Sequence, residues 1–223
     1  MQMTRATDVA RYVALLLLCA SPAAAQQQQP VSGVVVDVRG IFARHKQEPD
    51  IAKQLDVVPA NLPTRSLGLS AGVHVYPLHA GKITFGFGGH VLFAGGSQTL
   101  EPTPSSSSPS TTPAEPSPIV KRHFKAFAPE VSFNFGHRNG WSFISGGIGR
   151  TTLYVDREDA PATDVPSRML FHYGAGARWF TNHHTAVSLE IRWYSVSPLL
   201  PGATYIGQPR TTLMILSGGI ALR

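Results

Sequence analysis

SLGLSAGVHV, residues 66–75, alternates at nearly every step between an apolar and a small or polar residue. Successive side chains of a strand point to opposite faces, so this period of two predicts a strand with one apolar and one polar face. The alternation recurs beyond Pro30 and blurs only where both faces are apolar or Gly-rich, at 140–157 and 209–223. Eight strands are predicted, at 31–46, 64–78, 82–100, 120–136, 140–157, 168–182, 185–198 and 209–223.

The connections between these strands are short and long in turn. The short ones are 78–81, 137–139 and 182–184. The long ones are 47–63, 101–119, 158–167 and 199–208. An antiparallel up-and-down meander with this alternation has all its tight turns at one end. Transmembrane β-barrels show this asymmetry, with short periplasmic turns and longer outer loops.

The residue types on the polar face of the strands indicate whether this face points into the barrel or outward. A soluble carrier barrel of the lipocalin kind would show that face to water and fill it with Lys, Glu, Gln and Asp. Here it consists mostly of Gly, Ser, Ala and Thr with a few charges of both signs. Such residues suit the narrow interior of an eight-stranded barrel, so we expect the apolar face to meet lipid. The soluble carrier remains an alternative at this point.

The charged residues assigned to the interior form a predicted lumen network. Its members are Asp37, Arg39, Glu130, Arg150, Arg178, Glu190 and Arg192. Unpaired charges in a confined space are costly, so we expect them to form salt bridges that plug the barrel. A narrow ion path lined by the same arginines is the alternative, which would make the protein a small-solute porin. We expect His74, His90 and His172 to be hydrogen-bonded inside the lumen.

Aromatic residues near the short turns suggest an interfacial girdle, as in other membrane proteins. The predicted girdle consists of Tyr76, Phe135, Trp141, Trp179 and Phe180.

The first 25 residues have the pattern of a secretory signal peptide. Arg5 and Arg11 precede a short apolar core at 12–20, and small residues end at Ala25, the predicted cleavage site. Cys19, the one cysteine, lies inside this signal, so the mature chain would lack disulfides and thiolate sites. Without Arg5, Arg11 and Asp8, 17 basic and 12 acidic residues remain, a net charge of +5. The basic residues are scattered, which disfavours nucleic acid and is compatible with anionic lipid.

The sequence resembles the small outer-membrane β-barrels of Gram-negative-type bacteria, the OmpA transmembrane-domain and OmpX type. The resemblance rests on the export signal, the eight alternating strands and the alternating connections. The family implies a C-terminal assembly signal ending in an aromatic residue. Ser217, Gly219 and Leu222 fit this signal, but Arg223 stands where the aromatic residue is expected.

The domain organisation predicted is a signal peptide at 1–25 and a barrel at 26–223, with a disordered Pro/Ser/Thr-rich loop at 101–118. The loop at 47–63 carries apolar residues between charges and predicts a short amphipathic helix on the barrel mouth or lipid surface. Histidines near the short turns lack metal-ligand spacing, and no cofactor is expected. We predict a monomeric, non-enzymatic protein of the outer membrane whose partners are lipids and a surface ligand bound by the outer loops.

Overall fold

The computed structural model describes residues 31, 33–80, 82–99, 119–158, 165–202, 205 and 207–223. The predicted signal peptide at 1–25 and the predicted disordered loop at 101–118 lie outside these residues. The described strands are β1 Val34–Arg44, β2 Arg65–Ala80, β3 Ile83–Thr99, β4 Ile119–His137, β5 Gly140–Arg157, β6 Arg168–Phe180, β7 Thr185–Val196 and β8 Thr211–Leu222. The loop after β1 carries helix α1, Pro49–Gln54, and a 3₁₀ turn, Pro59–Asn61. No described helix is long and apolar enough to cross a membrane.

The eight strands form a closed antiparallel barrel in chain order. Each strand pairs with its neighbours in sequence, and β1 pairs with β8 to close the sheet, with Val36 opposite Leu222. The three short turns, the start of β1 and the end of β8 all lie at one end, since Val34 is opposite Val75 and Thr185 opposite Leu222. The predicted eight-stranded up-and-down barrel is confirmed, and every strand is where the alternation placed it to within three residues.

The faces of the barrel are inverted relative to a water-soluble protein. Leu67 is 70% exposed and Phe127 58% exposed, whereas His172 is fully buried and Arg178 is 2% exposed. An apolar exterior around an interior that holds the charged residues is the arrangement of a transmembrane barrel, in which closure satisfies every backbone group without water. The soluble carrier with its apolar face inward is therefore wrong.

Side chains fill the interior in layers that can be followed along β1. Val35 belongs to an apolar cluster at the short-turn end. Asp37 and Arg39 come next, in a polar layer. Ile41 and Ala43 belong to a second apolar cluster nearer the outer end. The polar layer therefore lies between two apolar ones.

Arg150 was predicted in the lumen network, but it lies on the outside of the barrel. Its position in β5 is opposite Phe127 on one side and Met169 on the other, and both of these side chains face outward. The prediction failed because Gly146, Gly147 and Gly149 interrupt the alternation that would have assigned a face.

The aromatic girdle is only partly where it was predicted. Phe135 and Trp179 face outward and are exposed. Tyr76 and Trp141 instead lie inside the barrel, 3% exposed, with their rings edge to face at 5.6 Å. Phe180 is half-buried and packs on Trp141 at 5.3 Å. Tyr76 has the parity of the inward-facing His74, so its closeness to the short turn was the wrong criterion.

Candidate functional site

Seven strands contribute to the polar layer, the most distinctive arrangement in the molecule. Period-two alternation directs its side chains to the same face as the small residues, and closure of the barrel then brings them together. The members are Asp37, Arg39, His74, His90, Glu130, Ser145, His172, Arg178, Glu190 and Arg192. Six of the seven residues predicted for the lumen network are among them; Arg150 is not.

Asp37 is the centre of one half of this layer. Arg178 donates to its Oδ2 at 2.5 Å, and Arg39 Nε lies 2.9 Å from its Oδ1. Arg178 also donates to the hydroxyl of Tyr76, which explains why that tyrosine points inward. The buried carboxylate therefore has a hydrogen bond at Oδ2 and an ion pair at Oδ1.

Arg192 is the centre of the other half. Its guanidinium pairs with Glu130 and with Glu190, and it donates to Ser145 Oγ at 2.7 Å. Glu190 also pairs with Arg39, which links the two halves across the lumen. The planar guanidinium can serve several acceptors at once, a geometry that lysine could not reproduce.

The lumen histidines complete the network through their ring nitrogens. His172 accepts a hydrogen bond from Arg192 at Nδ1, 2.6 Å, and donates from Nε2 to the carbonyl of Pro129, 3.0 Å. Only the neutral tautomer protonated at Nε2 can do both. His74 Nε2 forms a hydrogen bond with Glu130 Oε1 at 2.7 Å, and His90 Nε2 forms one with the Tyr194 hydroxyl at 2.7 Å.

The polar layer contains equal numbers of arginines and carboxylates and encloses a very small cavity. Its described residues include three arginines and three carboxylates. The cavity lined by Arg39, His90, Glu190 and Arg192 measures about 10 Å³. A single water needs about 10–15 Å³, so this space cannot hold a file of water molecules. The layer is built as a plug.

The loop after β1 covers the outer mouth. Ile51 and Ala52 of α1 are buried against Leu62, Val120 and Val155, the last two being inward-facing residues of β4 and β5. Gln98 fixes the following 3₁₀ turn by donating to the carbonyl of Ala60 at 2.8 Å. The amphipathic helix expected in 47–63 is present, and it rests on the mouth of the barrel.

A buried polar group lies under this cover. His45 Nε2 bonds Ser66 Oγ at 2.8 Å. Burial lowers the pKa of the His45 imidazole to about 3, and the nearby Arg122 guanidinium adds to the decrease. Arg122 has Glu48 at 3.7 Å, while Arg168 donates to the side chain of Gln208 at 2.6 Å. The outer mouth is thus closed by packing and by hydrogen bonds together.

The arrangement offers little to covalent chemistry. Within the part of the chain that the structure describes, no group of three His, Cys, Asp or Glu side chains is placed to hold a metal ion. The His45–Ser66 pair resembles a base and nucleophile, and both residues are buried. Among the described residues, however, His45 Nδ1 has no hydrogen-bond partner to orient it. Of the short-turn histidines, His79 bonds the carbonyl of Val31 at 2.5 Å, and His184 that of Arg223 at 3.2 Å.

Sequence reasoning missed three contributors to the polar layer. Tyr76 and Tyr194 present hydroxyls to Arg178 and His90, and Ser145 lies between Arg192 and Glu130. The alternation gives Tyr76 the inward face of His74, a signal present in the sequence. Which partners these residues find depends on barrel closure, which alternation does not encode.

Comparisons with known proteins concern the fold. No family model matches the sequence, and no curated protein matches it. Neisserial surface protein A matches with TM-score 0.49 and 9% identity, over 86% of this chain and 97% of that one. The outer membrane protein OprG from Pseudomonas aeruginosa matches with TM-score 0.48 and 10% identity, over 89% and 98%. The outer membrane protease OmpT from Escherichia coli matches with TM-score 0.42 and 8% identity, over 89% and 98%.

The fold is that of a small outer-membrane β-barrel. The resemblance drawn from the alternating strands is confirmed at this level by the closed eight-stranded barrel itself. The similar structures differ in what their names describe, so the activity of this chain has to be argued from its own residues.

Proposed function

We propose that this chain is a non-enzymatic outer-membrane protein, a closed scaffold that presents its outer loops at the cell surface and does not conduct solutes. The observation that carries the proposal is the solid polar layer, with three arginines and three carboxylates packed around a cavity of about 10 Å³. Water-filled barrels need about 16 strands, whereas an eight-stranded barrel is filled by its own side chains.

The apolar layers strengthen the argument. An ion crossing the lumen would have to pass one cluster containing Tyr76 and Trp141 and another containing Phe124 and Leu153. Both clusters are apolar and lie inside the barrel, so an ion passing them would lose its hydration twice. The cover formed by α1 adds a third obstacle at the mouth.

Single-channel recording tests the closed lumen directly. The detergent-folded protein is inserted into a planar bilayer, with its heat-dependent shift on an SDS gel confirming folding and a wide porin serving as the positive control. We expect silence at potentials where the porin conducts. Reproducible unitary steps would make the porin alternative correct and the lumen arginines its selectivity residues.

The role of the outer loops needs a separate experiment. The loop at 101–118, with its six Pro and six Ser, is replaced by a short Gly/Ser linker, while the barrel is left intact. We expect cells displaying the variant to lose autoaggregation or attachment relative to cells displaying the full protein at equal amount. Unchanged behaviour in both assays would contradict a surface role for this loop.

Location is tested by fractionation. After export and cleavage of the predicted signal peptide, residues 1–25, an outer-membrane barrel should appear in the outer-membrane fraction. Its release should need detergent. Recovery in the soluble fraction, or in the inner membrane, would contradict the proposal independently of the conductance result.

A further inference from the structure

Two arginines face each other on the outside of the barrel. Arg44 is the last residue of β1 and Arg65 the first of β2, and the strand register puts them directly opposite. Both are exposed on the lipid-facing side, just above Phe42 and Leu67. Like charges at directly opposed positions are destabilising, since their Cβ atoms lie about 5 Å apart. No ion pair to either arginine is found among the described residues.

A second pair of cations lies on β4 and β5. Lys125 is opposite Thr152, and Arg150 is opposite Phe127, so the two basic side chains are diagonal neighbours on the outer surface. Both are exposed, and the structure as described gives neither a carboxylate. Two other basic side chains, nearer the outer end of β4, do have a carboxylate beside them.

These two basic side chains are Lys121 and His123. Lys121 lies 2.8 Å from Glu158, and His123 lies 3.5 Å from Asp156. The contrast distinguishes Arg44, Arg65, Lys125 and Arg150, which we call the basic collar, from the neighbouring surface. An anion from outside the protein would relieve the repulsion between them.

The height of the basic collar indicates where that anion comes from. Arg44 lies ten residues beyond Val34, and Arg150 ten beyond Gly140, both counted from the short-turn end. At about 3.3 Å per residue and a strand tilt of about 40°, this is about 25 Å along the barrel axis. The apolar band of a membrane barrel is about 25 Å tall, so the basic collar lies at its outer edge.

We propose that the basic collar binds the phosphate groups of anionic lipids in the outer leaflet. Lipid phosphates occupy this depth, immediately outside the hydrocarbon. Guanidinium groups bind phosphate oxygens in a bidentate manner, and paired arginines can bind one phosphate from two sides. The apolar residues below, among them Phe127 and Leu67, would contact the acyl chains of the same lipids.

Native mass spectrometry of the full protein released from detergent micelles tests the proposal. Phosphatidic acid and phosphatidylcholine with identical acyl chains are added at equal concentration, and retained lipid is counted. The test variants are the doubles Arg44→Gln/Arg65→Gln and Lys125→Gln/Arg150→Gln. The matched control is Lys53→Gln/Lys82→Gln, which removes the same charge from exposed positions on α1 and at a short turn.

We expect the wild type to retain phosphatidic acid in preference to phosphatidylcholine. Each collar double should retain about half as much phosphatidic acid as the wild type, because it removes one of the two basic pairs. The control double should bind like the wild type. Conservative Arg44→Lys/Arg65→Lys should keep part of the binding, since it keeps the charge and loses the planar fork.

Three results would overturn the proposal. One is equal retention by the wild type and both collar doubles. Another is equal retention of the two lipids by the wild type. The third is full displacement of phosphatidic acid by inorganic phosphate at the same concentration, which would assign the site to free phosphate. If a double variant fails to fold, the singles Arg65→Gln and Arg150→Gln apply the same criteria.

Discussion

Arg178 and Asp37 are 141 positions apart in the chain, yet their side chains meet at 2.5 Å inside the barrel. Arg178 comes from β6 and Asp37 from β1, strands that do not pair with each other. The contact exists only because β1 closes on β8 and the lumen is narrow. The ion pair therefore forms only in the closed barrel. Each of the two charges can be buried because the other one neutralises it.

Removing only one partner of the Arg178–Asp37 pair should lower the free energy of unfolding strongly. Arg178→Met leaves the buried Asp37 with Arg39 as its one remaining arginine partner, and we expect the free energy of unfolding to fall by about 3–5 kcal/mol. The double variant Arg178→Met/Asp37→Asn should be less destabilised than the sum of the two singles, because it leaves no orphaned charge. Urea titration in lipid vesicles measures both. Arg210→Met, at an exposed position, is the control and should change stability by less than about 0.5 kcal/mol.

The strands and the closure were accessible from the alternation, and the small residues of the polar face favoured the inversion of faces over the soluble carrier. The errors have local causes. Glycines around Arg150 and near Trp141 removed the pattern in β5, so neither side chain could be assigned a face. The partners inside the lumen could not be derived at all: Arg178 finds Asp37, and Arg192 finds Glu130, across a space whose width follows from strand number and stagger.

The revised position of the tryptophans can be checked by fluorescence. Two single-tryptophan variants keep either Trp141 or Trp179, with the other tryptophans changed to Phe. Trp179 is 51% exposed on the outer face and Trp141 is 3% exposed in the lumen. Brominated lipids should therefore quench Trp179 strongly and Trp141 weakly. Equal quenching would contradict the inward placement of Trp141.

His45 should make stability depend on pH. Burial, together with Arg122, lowers the pKa of the folded imidazole to about 3, whereas the unfolded chain titrates near 6.5. Below about pH 6.5 the His45 imidazole is protonated in the unfolded chain but stays neutral in the folded chain. The free energy of unfolding therefore decreases as the pH falls towards 3. The stability difference between wild type and His45→Asn should shrink by about 1 kcal/mol per pH unit between pH 6 and 4. Parallel pH profiles for the two proteins would show that His45 is not buried as neutral imidazole.

Ile51 should stabilise the packing of the loop at 47–63 on the barrel mouth without contributing to the stability of the barrel itself. Its side chain is 1% exposed and packs with Leu62, Val120 and Val155, so Ile51→Ser removes apolar contacts and leaves a hydroxyl in their place. A loss of about 2 kcal/mol at this site would open the loop at 47–63 about thirtyfold more often. Limited proteolysis measures that opening, while the heat-dependent gel shift reports the barrel. We expect faster cleavage within 47–63 and an unchanged gel shift. The exposed substitution Lys53→Gln, on the same helix, should leave both readouts as in the wild type; cleavage of Ile51→Ser at the wild-type rate would mean that the helix does not depend on this contact.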